Sequence, residues 1–104
     1  MTARQLAWAR GRLVTLAAPV ALEAKALRAY AGSYGPRKVV LEDGVLMYQR
    51  ESGPRRRLIP AGGDLFLLDG VDNFQAKFVR DARGRVTRFV GLYDDGSSDE
   101  NARD

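Results

Sequence analysis

Short turns that contain glycine recur through the last two thirds of this sequence, and they restrict the folds that it can adopt. Between them lie short runs rich in leucine, valine and aromatic residues, a texture that is typical of β-hairpins. The turns are Asp43-Gly44, Ser52-Gly53-Pro54, Gly62-Gly63-Asp64, Asp69-Gly70, Arg83-Gly84 and Asp95-Gly96. The strands predicted between them are 37–42, 45–51, 55–61, 65–69, 73–80 and 85–93, with 33–35 as a further candidate.

The connections are too short for the crossover that parallel neighbours require, so the strands should form an antiparallel meander. We therefore predict a mainly β fold, with six to seven strands in a small barrel or strongly curved sheet and an N-terminal helix packed on it. Alternation along the strands predicts the inward residues: Val39, Leu41, Leu46, Tyr48, Leu58, Phe66, Leu68, Phe74, Ala76, Phe78, Val90 and Leu92. Gly91 within the last strand indicates a bend or a close approach of another group.

The N-terminal segment carries the pattern of an amphipathic helix. Apolar residues recur there at spacings of three and four, Pro19 ends or kinks the helix, and a second short helix is predicted near 21–30. The apolar surface exceeds what one short helix normally leaves in water, so it should cover the sheet or pair two chains in a dimer. The interface candidates are Leu6, Trp8, Leu13 and Leu16.

One hydrophobic core is expected, because the chain has 104 residues, of which 45% are hydrophobic and 29% charged. The predicted organisation is a linker-like helical segment at 1–30, a β-meander domain at 31–96 and an acidic, disordered tail at 97–104. No apolar run approaches the roughly 20 residues that span a bilayer. The arginines before the apolar stretch 13–22 also fit a secretory signal peptide, although Pro19 interrupts that stretch.

The composition excludes several kinds of chemistry. The sequence has no cysteine and no histidine, which removes disulfides, thiolate metal sites and the usual base of a serine triad. The serines and the paired carboxylates lie in turn-like contexts, where turn formation explains them. We therefore predict no catalytic residues, no metal site and no cofactor.

The net charge of +4 comes mostly from arginine. The run Arg55-Arg56-Arg57 fits a solvated edge strand, an anion contact or a partner interface. On a strand, Arg56 must point away from the face that Arg55 and Arg57 share. No aromatic residue adjoins the run, as a nucleic-acid groove would normally require, so no nucleic-acid partner is predicted.

Two further arginines lie in phase with inward residues. Arg37 and Arg50 each end the apolar face of a strand, so both should point toward a barrel mouth beside aromatic rings. The arrangement fits a stacked, ion-paired guanidinium, or a rim that accepts a carboxylate or phosphate. The aromatic residues fit either a filled core or an apolar pocket. The candidate ligand site comprises Tyr34, Arg37, Tyr48, Arg50, Phe74 and Phe78.

Four segments resemble a known family. They are residues 27–37 (LRAYAGSYGPR), 41–51 (LEDGVLMYQRE), 58–60 (LIP) and 90–96 (VGLYDDG). In this order they resemble the lipocalin-like C-terminal accessory domain of bacterial serine hydrolases, which include tricorn-like or tail-specific peptidases and β-lactamase-like, penicillin-recognising peptidases. Gln75 departs from the pattern, because related tails often place arginine there.

The resemblance implies a lipocalin-like barrel whose catalytic residues belong to a separate host domain. It also implies a periplasmic or secreted location; without it, the cytoplasm is expected. The leading hypothesis is a non-catalytic accessory domain of a peptidase system, whose partner is a catalytic peptidase domain or a second copy of itself. The alternative is a free-standing, lipocalin-like binder of a small apolar or anionic ligand.

Overall fold

The computed structural model describes residues 2–104. Two helices precede a single sheet of eight strands. The elements are α1 (Ala3–Ala17), α2 (Ala24–Arg28), β1 (Gly32–Tyr34), β2 (Arg37–Glu42), β3 (Val45–Arg50), β4 (Arg56–Gly62), β5 (Leu65–Leu68), β6 (Val71–Arg80), β7 (Val86–Tyr93) and β8 (Ser98–Ala102).

The strands form an antiparallel meander in chain order, from β1 to β8, and the sheet curls into a nearly closed barrel. The predicted fold class is therefore confirmed, with one strand more than the largest number expected. The turn between β2 and β3 shows why the glycine pattern was informative. Asp43 and Gly44 both have positive φ, at 50° and 77°, as a two-residue turn between right-twisted strands requires.

The acidic segment 97–104, predicted to be a disordered tail, contains β8 instead. Residues 98–102 pair with β7, and the chain then reaches β1, where the Asp104 amide donates to the Ser33 carbonyl at 2.8 Å. The side chain of Arg103 donates to the carbonyls of Ala29, Ala31 and Val86. Backbone pairing and side-chain bonds hold this strand without an apolar face, so its acidic composition did not reveal it.

Strand β7 has the opposite phase to the one predicted. Phe89 and Gly91 face the barrel interior, across from Phe78 and Ala76, whereas the predicted inward residues Val90 and Leu92 are only partly buried. Alternation was misleading here because the inward position 91 has no side chain. An ideal Cβ built on Gly91 would lie 2.6 Å from the nearest Asp99 oxygen, which confirms the predicted close approach.

Helix α1 begins with a capping box. The Thr2 hydroxyl accepts from the Gln5 amide at 3.1 Å, and the Gln5 side-chain oxygen accepts from the Thr2 amide at 2.8 Å. The helix contacts β4 and lies on the outer wall of the barrel, where the Trp8 indole donates to the Asp72 carbonyl at 2.7 Å. No residue of α1 is fully buried. Within residues 2–104, no helix is long and apolar enough to cross a membrane.

Candidate functional site

Aromatic side chains fill the interior of the barrel. Seven rings pack against one another with centroids 4.8–6.3 Å apart, and apolar side chains from strands β2 to β7 surround them. These rings belong to Tyr30, Tyr34, Tyr48, Phe66, Phe74, Phe78 and Phe89. The sequence allowed either a filled core or an apolar pocket for these aromatic residues, and the interior of the barrel is a filled core. Any ligand must then bind at the surface or at a mouth of the barrel.

Among residues 2–104, Arg37 is the one charged side chain that is almost completely buried, with 1% of its surface exposed. Its guanidinium donates to Asp99 at 2.6 Å and to Asn101 at 3.3 Å, and it lies 4.7 Å from the centroid of the Phe89 ring. Burial lowers the pKa of Arg37, but the hydrogen bond to Asp99 and the negative charge of that carboxylate outweigh it, so the pKa is raised. Arg37 therefore stays charged and ties β2 to β8.

Asp99 completes this link. Its second carboxylate oxygen accepts from the Tyr93 hydroxyl at 3.0 Å. Partial burial raises the pKa of Asp99, but the bonds from Arg37 and Tyr93 outweigh that effect and hold the pKa below its usual value. Burial, together with the hydrogen bond to Asp99, raises the pKa of the Tyr93 phenol. Arg37 and Asp99 thus form an ion pair with Tyr93 as a further donor, while within residues 2–104 the buried Nε of Arg37 has no hydrogen-bond partner.

A shallow groove lies at this mouth of the barrel and encloses about 240 Å³. We call it the mouth groove. Its lining is Tyr48, Arg50, Gly53, Pro54, Arg56, Leu68, Val71, Phe74 and Tyr93. Among the residues that the structure describes, its lining includes two arginines and no carboxylate.

The structure brings together half of the predicted ligand site. Tyr48, Arg50 and Phe74 line the mouth groove, whereas Arg37 is committed to Asp99. The other two candidates lie in the core: Tyr34 is fully buried and donates to the Tyr30 carbonyl at 2.7 Å, and Phe78 is packed among rings. These two side chains hold the fold together and do not reach the groove.

Sequence reasoning missed two members of this region. Arg56 enters the groove because β3 and β4 pair Tyr48 with Arg56, which places both on the inward face. The alternation of the arginine run already indicated that Arg56 points away from its neighbours. Asp99 lay in the segment predicted to be disordered, and no sequence signal connected it with Arg37.

A second polar cluster lies at the turn between β4 and β5. The Tyr30 hydroxyl donates to Asp64 at 2.6 Å, and the Arg80 guanidinium donates to the same carboxylate oxygen at 3.0 Å. Burial and the bond to Asp64 raise the pKa of Tyr30, whereas the bonds from Tyr30 and Arg80 outweigh burial and lower the pKa of Asp64. The cluster attaches Tyr30, the second residue after α2, to the barrel.

The surface of α1 divides into two sides. Trp8, Ala9, Arg12 and Thr15 are partly buried against the barrel. The opposite side leaves apolar side chains in water, with 67% of Leu13 and 71% of Val14 exposed. Among the interface candidates, Leu6, Leu13 and Leu16 are exposed, whereas Trp8 faces the barrel.

An apolar cleft of about 220 Å³ lies where β3 and β4 separate. The two strands pair only through Met47–Arg57 and Tyr48–Arg56, so their other halves diverge. The segment after α1 runs along the gap, where the Val20 amide donates to the Pro60 carbonyl at 3.1 Å. The chain thereby partly covers its own opening in the sheet.

Across the part of the chain that the structure describes, no group of three or more acidic side chains is placed to hold a metal ion. The Ser97 hydroxyl donates to Asp95 at 2.6 Å within the turn between β7 and β8, where both side chains are exposed. No family model, curated protein or solved structure matches the chain.

Proposed function

We propose that this protein is a non-catalytic interaction module, in which a filled barrel presents one side of α1 to a partner. This outward side faces away from the barrel and carries the exposed residues Leu6, Leu13 and Val14. The observation that carries the proposal is the contrast between the filled interior and the uncovered apolar side of α1. A hollow barrel would favour ligand carriage, whereas an exposed apolar surface on a rigid scaffold favours docking.

The outward side has the spacing of a helix–helix contact. Leu6 and Leu13 are seven residues apart and lie on one side of α1, with Val14 beside Leu13. Burying one such side chain is worth on the order of 1.5–3 kcal/mol. This gain is available only on association, because the barrel contacts the other side of the helix.

In the isolated chain, the occupant that we propose is a second copy of α1. The helix has 15 residues, about 22 Å of length, which is short for an interface of roughly 800 Å² per partner. Its charged residues are Arg4, Arg10 and Arg12, and it carries no acidic side chain, so two copies repel each other. The dimer should therefore be weak, and salt should strengthen it by screening the arginines.

In a longer polypeptide, the same surface would contact a catalytic domain. The docking site on that domain would carry acidic side chains, which α1 lacks and which would attract its arginines. The resemblance to accessory domains of serine hydrolases supports this partner. The absence of histidine and cysteine, together with turn-bound serines, supports a role without catalysis.

Sedimentation equilibrium at about 0.1 M and 1 M NaCl tests the proposal, since the Debye length falls from about 10 Å to 3 Å between them. We expect the average mass to rise with concentration, and to rise further at high salt. Leu13→Lys should keep the chain monomeric without changing its thermal midpoint. Val79→Lys, at an exposed apolar residue of β6, is the matched control and should leave association unchanged.

A monomer under all conditions would contradict the proposal. Equal effects of Leu13→Lys and Val79→Lys would show that α1 is not the contact surface. Lysine is preferred to aspartate in these variants because an acidic residue on α1 could attract the arginines of the second copy.

A further inference from the structure

We infer that the mouth groove is a binding site for a small organic anion that carries an apolar ring, such as an aromatic carboxylate. This site is separate from α1 and goes beyond the proposed docking role. It uses two guanidinium groups, contributed by Arg50 and Arg56, and the aromatic floor between them.

Strand pairing places the two arginines around one tyrosine. Tyr48 lies directly across from Arg56, and Arg50 is two residues beyond Tyr48 on the same face of β3. Arg50 and Arg56 are thus diagonal neighbours, a relation that places two residues about 7–8 Å apart and their Cβ atoms somewhat closer. Long arginine side chains at this separation can both reach one carboxylate in the groove.

The donors of these two arginines are largely free. Arg56 gives one bond to the Asp69 carbonyl at 3.3 Å, and within residues 2–104 neither Arg50 nor Arg56 has a carboxylate within 4 Å. A guanidinium has five N–H donors, so most of them remain available to an anion.

The local charge also favours an anion. Asp99, the carboxylate tied to this mouth, is already engaged by Arg37 and Tyr93. The charged side chains of the lining are therefore the two cations Arg50 and Arg56. A partly enclosed mouth strengthens their effect, because it replaces water with material of lower dielectric constant.

The floor of the groove selects for a ring. Tyr48 and Phe74 lie with ring centroids 5.9 Å apart, Tyr93 meets the Phe74 ring edge-on at 5.3 Å, and Leu68 and Val71 complete the apolar lining. A ligand ring can contact these edges while its anionic group reaches the arginines. An inorganic anion would use only half of this surface.

Titration of the full chain with benzoate, followed by ¹H–¹⁵N NMR, tests the inference. We expect saturable shifts confined to residues around the mouth groove, with a dissociation constant of about 1 mM or below, which is within the limit for a ligand of this size. Benzamide, the neutral analogue, and inorganic phosphate, the anion without a ring, should each bind about tenfold more weakly or not at all.

Arg50→Gln and Arg56→Gln should each weaken benzoate binding about tenfold, which corresponds to the loss of one charge-assisted contact. Arg57→Gln is the matched control, because it removes the same charge from the outer face of the same strand. Equal binding of benzamide, equal weakening by Arg57→Gln, or no saturable shift would overturn the inference. The comparison of benzoate with benzamide uses the unmodified chain, so it stands even if a variant folds poorly.

Discussion

Replacing Gly91 with alanine tests the packing of the buried ion pair most directly. The new Cβ would lie 2.6 Å from an Asp99 oxygen, 2.8 Å from the Phe74 ring and 2.9 Å from the Arg37 guanidinium. These groups hold one another in place, since Arg37 bonds Asp99 and stacks near Phe74. The methyl group must therefore displace at least one of them.

Overpacking costs about 1–3 kcal/mol in general, and the upper part of this range, about 2–3 kcal/mol, applies here because the methyl group meets three groups at under 3.0 Å. Alanine recovers up to about 1 kcal/mol, because glycine loses more backbone entropy on folding and φ at position 91 is not positive. The net loss of unfolding free energy should be about 1–2 kcal/mol. In a domain of this size, each kcal/mol lowers the thermal midpoint by about 4–8 °C.

Urea unfolding followed by circular dichroism measures this loss. The matched control is Gly11→Ala in α1, where an added Cβ meets nothing within 4 Å. That change should raise stability by up to about 1 kcal/mol, since alanine is the better helix former. A neutral or stabilising effect of Gly91→Ala would refute the reasoning, because it would mean that Asp99, Phe74 and Arg37 can move apart without any loss of unfolding free energy.

Two other predictions concern the same region. Asp99→Asn should destabilise the fold by about 1–3 kcal/mol near neutral pH, less than for a fully buried pair because 47% of the Asp99 side chain is exposed. Since the folded pKa of Asp99 lies below its unfolded value, its contribution is present above about pH 4 and is lost as the pH falls through the folded pKa. Below pH 4, the urea midpoint of the Asn variant should therefore depend less on pH than that of the unmodified chain. Some acid sensitivity remains in both proteins, because Asp64 and Asp81 also have lowered pKa values. Equal pH dependence of the two urea midpoints would contradict this prediction. Deletion of residues 98–104 should destabilise the fold by more than Gly91→Ala does. The deletion removes β8, the partner of Arg37 and the three carbonyl contacts of Arg103. An unchanged thermal midpoint would support the earlier interpretation of this segment as a disordered tail.

The sequence predicted the fold where local rules act alone. Glycine at positions of positive φ, such as Gly44 and Gly70, marked the hairpin turns, and alternation identified the inward residues of β2, β3 and β6. Prediction from the sequence failed where the structure of a strand depends on contacts with residues that are distant in the chain. The phase of β7 depends on what Gly91 faces, and β8 depends on backbone pairing and on arginines from elsewhere.

The candidate site was predictable to the same extent. Tyr48, Arg50 and Phe74 could be placed near one mouth, because their strand phases were correct. The depth of each residue along the barrel could not be read from its phase, so Tyr34 and Phe78 were grouped with them although both lie in the core. Arg56 was recoverable from alternation, whereas Asp99 required the three-dimensional closure of the barrel.

The barrel closes where residues 99–104 contact residues 29–37, and we call this region the seam. Its contacts join residues that are 62 to 74 positions apart, from the Arg37–Asp99 pair to the bond between Arg103 and Ala29. Closing so long a loop costs chain entropy before any contact compensates it, whereas hairpins such as β2–β3 form locally. The seam should therefore close after the rate-limiting step, so weakening it accelerates unfolding while the folding rate barely changes. The lifetime of the native barrel is then set at this seam, by a few arginine contacts that contribute little to how fast the chain folds.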